Sequence, residues 1–277
     1  MVYSPFLPTF VKDAKFERGN MDIVDINRQA WNKESEEQGE WSQPVSAKQI
    51  EQARNGQWSI ILTPNKAVPA NWFGDIKGKQ LLGLASGGGQ QMPILAAAGA
   101  VVTSFDNSDE QLAKDKQLSD EHQLNIAIEQ GDMADLSRFE DNSFDLIFHP
   151  VSNCFVPDVD KVWKECARVL KPQGRLLAGF CNPAMYLFDH DKSLENKQLV
   201  VEFKLPFSTL TAGEEHLQNT IDRGDPIEFS HSLESQIGGQ IAAGFALHGF
   251  YEDDWNDEAI YLNRYMPTSM ATLAIKN

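Results

Sequence analysis

From residue 80 onward, short apolar and β-branched runs alternate with helix-compatible segments, which restricts the chain to folds with a parallel sheet flanked by helices. The strands are expected at QLLGL (80–84), VVTSF (101–105), IAIEQ (126–130), FDLIFH (144–149) and GRLLAGF (174–180), with helices between them over 90–98, 109–121 and 160–170. Ser108 and Gln111 have the spacing of a capping box, which starts the second of these helices directly after its strand. The third stops at Lys171-Pro172-Gln173-Gly174, where proline removes a donor and glycine permits the return into a strand. LESQIGGQIAAGFALHGFYEDDW predicts a helix ending at Gly244 and a strand over 245–251. The terminal run SMATLAIKN pairs with that strand as an antiparallel hairpin at the sheet edge.

The residues before the first strand read differently. A polar, helix-compatible stretch over 26–38 carries Trp31, and WSQPVSAKQIEQARNGQW, beginning at Trp41, predicts a second helix between turns. The section 184–230 is polar and charge-rich and gives no periodicity that assigns it.

A formal net charge of -16, from 24 Lys and Arg against 40 Asp and Glu, argues against a phosphate-backbone partner and against acidic membrane surfaces. A small or uncharged substrate fits such a chain better. Cys154, Cys166 and Cys181 are too few and too scattered for a disulfide framework or a CxxC metal site, so reduced cytosolic thiols and no metal are expected. The first residues lack a basic region followed by a sustained apolar one, so no secretory signal is expected. The apolar run over 92–102 is too short for the ~20 residues of a membrane span. These features predict a soluble, cytoplasmic protein, monomeric or homodimeric.

LLGLASGGGQQMP (81–93) places three consecutive glycines between a strand and a helix, an arrangement suited to a phosphate or a nucleoside. A dinucleotide fingerprint would need a further glycine where Met92 stands, and a Walker loop would need Gly-Lys-Ser/Thr. Asp106 ends the next strand, where a carboxylate accepts hydrogen bonds from ribose hydroxyls. Asp132 and Met133, after the third strand, suit an adenine amino group and its face.

With these residues in place, the chain resembles the class I S-adenosylmethionine-dependent methyltransferases. It looks most like their type 11 small-molecule group, and within that like an uncharacterised bacterial subgroup. The resemblance covers about 80–181 and rests on LGLASGGGQQ, FDNS, QGDMADL, FHPVSNCFVPD and RVLKPQGRLL, with SQIGGQIAAGF beyond it. Gly83 stands where the motif usually has an acid, and Ala85 where it usually has its first glycine. Gly87 and Gly89 match. The resemblance implies a Rossmann-like α/β fold, doubly wound, with a mostly parallel seven-stranded sheet, an antiparallel edge strand and an N-terminal helical cap. It divides the chain into a cap or lid over 1–78 within the same domain, a cofactor-binding core over 79–183, and a substrate-side insertion with the last helix and hairpin over 184–277. S-adenosylmethionine would contact Ala85, Ser86, Gly87, Gly89, Gln90 and Gln91 in the loop. Asp106, Asn107, Gln111, Asp132, Met133 and His149 would complete its site. Gln90, Gln91 or an N-terminal residue would stand in for the acid absent at Gly83.

His149 and Asn153 follow the fourth strand and are the catalytic candidates, with Ser152 beside them for substrate; the alternative is a polar turn ending the strand. Trp31 and Trp41 are substrate candidates or core aromatics, and His231 is a rim residue or a helix-start hydrogen-bonding group. The activity implied is methyl transfer to an unidentified small-molecule acceptor. An NAD(P)-dependent oxidoreductase and a non-catalytic S-adenosylmethionine-binding sensor are the competing readings.

Overall fold

The structure is a computed structural model that describes residues 21–277. The expectation about a secretory signal and the first part of the 1–78 cap lie outside the described residues. Ahead of the sheet come α1 (Ile23–Glu36), α2 (Ala47–Arg54) and the short α3 (Ala70–Phe73). The core runs β1 (Gln80–Leu84), α4 (Gln91–Ala97), β2 (Val101–Asp106), α5 (Asp109–His122), β3 (Ile126–Gln130), β4 (Phe144–His149), α6 (Val159–Val169) and β5 (Leu170–Cys181). After it come α7 (His190–Asn196), α8 (Glu214–Arg223), a π-helical turn (Glu234–Gly238) leading into α9 (Gly239–Ala242), β6 (Phe245–Asp253) and β7 (Ser269–Lys276).

The strands form one seven-stranded sheet in the order β3-β2-β1-β4-β5-β7-β6. β1 through β5 are parallel, whereas β7 runs antiparallel between β5 and β6. β6 is therefore the outermost strand, and the antiparallel member of the expected hairpin lies one place in. The strand order reverses between β1 and β4, so the crevice at the carboxyl ends of β1, β2 and β4 is where an open α/β sheet takes a ligand.

Alternation along each strand divides the core in two. Leu81, Val102, Phe148 and Leu177 pack on one face with Met92 and Leu95 of α4 and Ile60, Trp72 and Phe73 from the pre-sheet region. Leu82, Leu84, Phe105 and Leu176 face the other way, toward α6. That helix buries Val159, Val162, Trp163, Cys166 and Val169, the three- and four-residue spacing of one apolar stripe. The apolar run over 92–102 is α4 and its return into β2, with Met92, Ile94 and Leu95 buried. No described helix is long and apolar enough to cross a membrane.

Ser108 caps α5, its hydroxyl accepting from the Gln111 N–H at 3.0 Å. The reciprocal half of the expected box is absent, because the Gln111 amide turns away to donate to the Ser42 hydroxyl. Ser46 and Gln49 form a complete box at the start of α2. The unassigned section 184–230 holds α7 and α8; α8 buries only Leu217 and Thr220, too little apolar stripe to show as periodicity.

Candidate active site

A cavity of about 570 Å³ opens over the carboxyl ends of the parallel strands and extends across the ends of β4 and β5 toward the 184–230 segment. Its first half is built by the turn that joins β1 to α4. Ala85 takes a positive φ of 50° there, and its N–H donates to the Phe105 carbonyl at 2.8 Å, tying the turn to β2. Three successive glycine amides follow. Gly87 N–H donates to the Asp106 carboxylate (2.9 Å), Gly88 N–H to the Gln111 carbonyl (3.0 Å) and Gly89 N–H to the Asp115 carboxylate (2.9 Å). Gly89 reaches its place only at φ 73°, where a side chain would be strained. All three donors point at β2 and α5. They are spent within the protein, whereas a pyrophosphate-binding loop keeps such donors for the ligand.

Asp106 faces the same cavity. One carboxylate oxygen accepts from Gly87 N–H and the other from Ser108 N–H, each at 2.9 Å, so both oxygens are fixed while retaining lone pairs for a vicinal diol. Burial raises its pKa, and the amides of Ser108, Gly87 and Asn107 oppose that rise. Asp132 is set by its own turn, accepting from the Ala134 N–H at 2.9 Å, and Met133 beside it is buried in the core on the same side. Asn107 donates to the Val24 carbonyl at 2.6 Å, which ties α1 to this half of the site. Ser86 lines the cavity, and its buried hydroxyl has no partner among the described residues. A buried polar atom without a partner is costly, so a ligand group that meets the Ser86 hydroxyl is favoured.

Of the residues expected from the sequence, Ala85, Ser86, Gly87, Gln90 and Gln91 line the cavity. Asp106, Asn107, Gln111, Asp132 and Met133 line it as well. So do Trp31, Trp41 and Ser152. Trp31 packs edge-on against Phe155 with ring centroids 5.2 Å apart, and Trp41 lies 5.3 Å from Trp255, so the pre-sheet region forms an aromatic wall.

His149, Asn153, His231 and Gly89 are placed otherwise. None of them is among the residues that line the cavity. His149 has 0% exposure; its ring nitrogens lie 2.9 Å from the Leu84 carbonyl and 2.7 Å from the Asn153 side-chain oxygen. Burial lowers its pKa, and the hydrogen bonds to Leu84 and Asn153 oppose that fall. Asn153 in turn donates to the Gln236 side chain at 3.0 Å. These two residues clamp β1, the turn after β4 and the π-helical turn together behind the cavity wall. That position does not fit the expectation that they touch cofactor or acceptor. His231 lies 3.0 Å from the backbone oxygens of both Asn153 and Val156, and so braces the same turn instead of standing at a rim.

Two features were not expected. The first is Asp115 on α5, with 0% exposure, accepting from Gly89 N–H and, at 2.6 Å, from the Ser104 hydroxyl. It holds the last glycine of the turn from below. Gly83, by contrast, has no room for an acid: a Cβ there would lie 2.0 Å from the Met92 sulfur and 2.4 Å from the Ser86 hydroxyl. The turn is thus fastened from β2 and α5, not from β1. A trace was visible in the sequence, since Asp115 shares the buried stripe of α5 with Leu112 and Leu118. The second feature is Glu228 with Tyr186, which line the far end of the cavity.

Burial pushes the Asp115 carboxyl up to about 7, with the neighbouring Asp106 charge adding to the rise. A carboxyl raised in the folded state binds more protons folded than unfolded between its two pKa values. Its contribution to stability is therefore full below the unfolded value, near 4, and is lost as pH rises through about 7. Asp115→Asn keeps an acceptor for Gly89 and cannot ionise. Thermal melts from pH 5.5 to 8.5 are expected to show the variant gaining on the wild type as pH rises. A constant difference across that range contradicts the assignment.

The comparisons with known proteins bear on the same region. A family model described as a methyltransferase domain matches residues 82–178. An uncharacterized methyltransferase of Bacillus subtilis, YbaJ, is 46% identical over 255 residues, covering 92% of this chain and 98% of its own length. Among solved structures, an S-adenosylmethionine-dependent methyltransferase from Mesorhizobium loti superposes with a TM-score of 0.57 at 16% identity, over 74% of this chain and 94% of that one. A second, from Listeria monocytogenes and described as a putative enzyme of the same kind, gives 0.56 at 16% identity over 75% and 94%. At such identities these two likenesses concern the fold.

Proposed function

This chain belongs to the class I S-adenosylmethionine-dependent methyltransferase superfamily, and we propose that it binds S-adenosylmethionine in the β1–β3 half of the cavity and transfers its methyl group to a small molecule held in the other half. The observation that carries the reading is that one continuous cavity runs from Asp106 and Asp132 to Tyr186 and Glu228, which supports a nucleoside at one end and an acceptor at the other. When bound, the cofactor supplies a sulfonium-activated methyl group, an electrophile that needs no covalent help from the protein. The protein's part is alignment and exclusion of water. Asp106 accepts the ribose hydroxyls, Asp132 the adenine amino group, and Met133 packs against the base. Ser86, and the side chains of Gln90 and Gln91 at the start of α4, meet the amino-acid end. Trp31, Trp41 and Trp255 close the site on the cap side and keep the cofactor and acceptor dry.

Two features favour this over a nicotinamide dinucleotide. The glycine amides are engaged by Asp106, Gln111 and Asp115 and so do not face a pyrophosphate. Met92, where the fingerprint has its last glycine, is fully buried core. The net charge of -16 and the three free cysteines support a cytosolic reaction on a diffusible acceptor, not on nucleic acid. The test is turnover. Incubating the enzyme with methyl-labelled S-adenosylmethionine and small-molecule extracts is expected to give labelled product above a cofactor-only control. Binding of the cofactor with no product in any extract would favour a sensor over an enzyme.

A further inference from the structure

The acceptor half of the cavity has a distinctive end. Glu228 sits in an extended segment whose neighbours Ile227 and Phe229 are buried in a small apolar cluster with Leu217, so alternation turns the Glu228 side chain the other way, toward the cavity. Its backbone is held on both sides. The Glu228 N–H donates to the Thr209 hydroxyl and its carbonyl accepts from the Thr209 N–H, each at 3.0 Å. Ile227 N–H donates to the Asn27 side chain at 2.7 Å, and Phe229 N–H donates to the Cys154 carbonyl at 2.7 Å. The carboxylate is therefore presented by a rigid frame that reaches α1 and the turn after β4.

Tyr186 lines the same end of the cavity and opposes the rise that burial gives the Glu228 pKa, and its ring is stacked on Phe207 with centroids 5.3 Å apart. Among the described residues no Lys or Arg pairs with Glu228; the cavity's acids are Asp22, Asp106, Asp132, Asp158 and Glu228, and its one cation is Lys161. The walls around the Glu228 end are apolar or soft, with Met185, Cys154, Cys181 and Phe155. Burial raises the pKa of the Glu228 carboxyl and Tyr186 opposes that rise; with no cation beside it in an apolar chamber, the group favours an N–H or O–H donor and disfavours an anion.

We propose that Glu228, braced by Tyr186, is the specificity-determining group of the acceptor chamber, and that the acceptor is a predominantly apolar, ring-sized molecule bearing an amine or hydroxyl donor and no anionic group. This rests on the reading of the cavity as a cofactor half joined to an acceptor half. Glu228 accepts the acceptor's donor hydrogen, and the aromatic and sulfur-bearing walls cover its body. Carboxylates and phosphate esters are disfavoured by the acid-rich lining.

The test uses the full chain saturated with S-adenosylhomocysteine and three matched probes, 2-naphthylmethylamine, 2-naphthol and 2-naphthoate, titrated by calorimetry at pH 7.5. The amine and the naphthol are expected to bind at least about tenfold more tightly than the naphthoate. Glu228→Gln, which preserves shape, is expected to bring all three to within about threefold of one another while leaving S-adenosylhomocysteine affinity unchanged. Tyr186→Phe is expected to reduce the preference partway. Naphthoate binding as tightly as the amine, an unchanged order in Glu228→Gln, or no binding of any probe overturns the proposal. Failure of the wild type to bind S-adenosylhomocysteine would instead overturn the functional reading beneath it.

Discussion

Replacing Asp106 with alanine is expected to lower the affinity for S-adenosylhomocysteine by about two orders of magnitude or more. Two hydrogen bonds from ribose hydroxyls to an ionised carboxylate contribute roughly 1.5–3 kcal/mol each in a site closed to water, and about 1.4 kcal/mol is tenfold in a binding constant. The same substitution also releases the N–H groups of Gly87 and Ser108, so the turn that shapes the cofactor half loses its anchor. Asp106→Asn is expected to lose nearly as much. Both carboxylate oxygens accept from backbone N–H groups, and an amide must turn its NH₂ toward one of them. Calorimetry on both variants checks this, with circular dichroism to show that the fold is retained. A loss below about threefold in both variants contradicts the role assigned to Asp106.

Placing an acid at Gly83, where the resembled motif usually has one, is expected to damage this protein. The new Cβ would meet the Met92 sulfur at 2.0 Å and the Ser86 hydroxyl at 2.4 Å, and Met92 has 0% exposure within the core cluster of that sheet face. Overpacking of this kind costs roughly 1–3 kcal/mol, and burying a carboxylate without a cation beside it adds more. A total of about 3 kcal/mol lowers the melting temperature of a chain this size by roughly 6–12 °C. Thermal melts of Gly83→Asp measure it. Because the nearest conflict is with the Met92 side chain, Gly83→Asp and Met92→Ala are expected to be non-additive, the double variant losing less than the two singles together by about 1 kcal/mol or more. Full additivity, or a Gly83→Asp protein as stable as the wild type, would show that Met92 does not fill the space of the missing acid.

The parallel core was legible because buried strands read as continuous apolar runs and because capping and stop signals bracket the helices. Ser108, Pro172 and Gly174 mark ends that the structure places within a residue or a few of the expected ones. Asp106, Asp132 and the turn from Ala85 to Gly87 were legible for a related reason, since strand ends in such a sheet point into one crevice. His149 and Asn153 have the same kind of address at the end of β4, yet their side chains turn inward to bond Leu84 and Gln236. Sequence position gives the strand end but not the direction of a side chain in the turn beyond it. Asp115 offers in the sequence only its place on the buried stripe of α5, with Leu112 and Leu118. Its role appears only when α5 is laid under the glycine turn, bringing Gly89 and Ser104 to it. Glu228 had no local signal at all, because its frame is made by Thr209, Asn27 and Cys154, which are distant in the chain.

On the proposed reading, the cavity over β1 to β3 takes the S-adenosyl nucleoside and not a dinucleotide. Titrating the wild-type protein by calorimetry with S-adenosylhomocysteine, and separately with NAD and NADP, tests it most directly. One-to-one binding of S-adenosylhomocysteine is expected, with a dissociation constant on the order of micromolar, about 8 kcal/mol of binding free energy, and no measurable heat with either dinucleotide. Saturable binding of NAD or NADP, with none of S-adenosylhomocysteine, would contradict it.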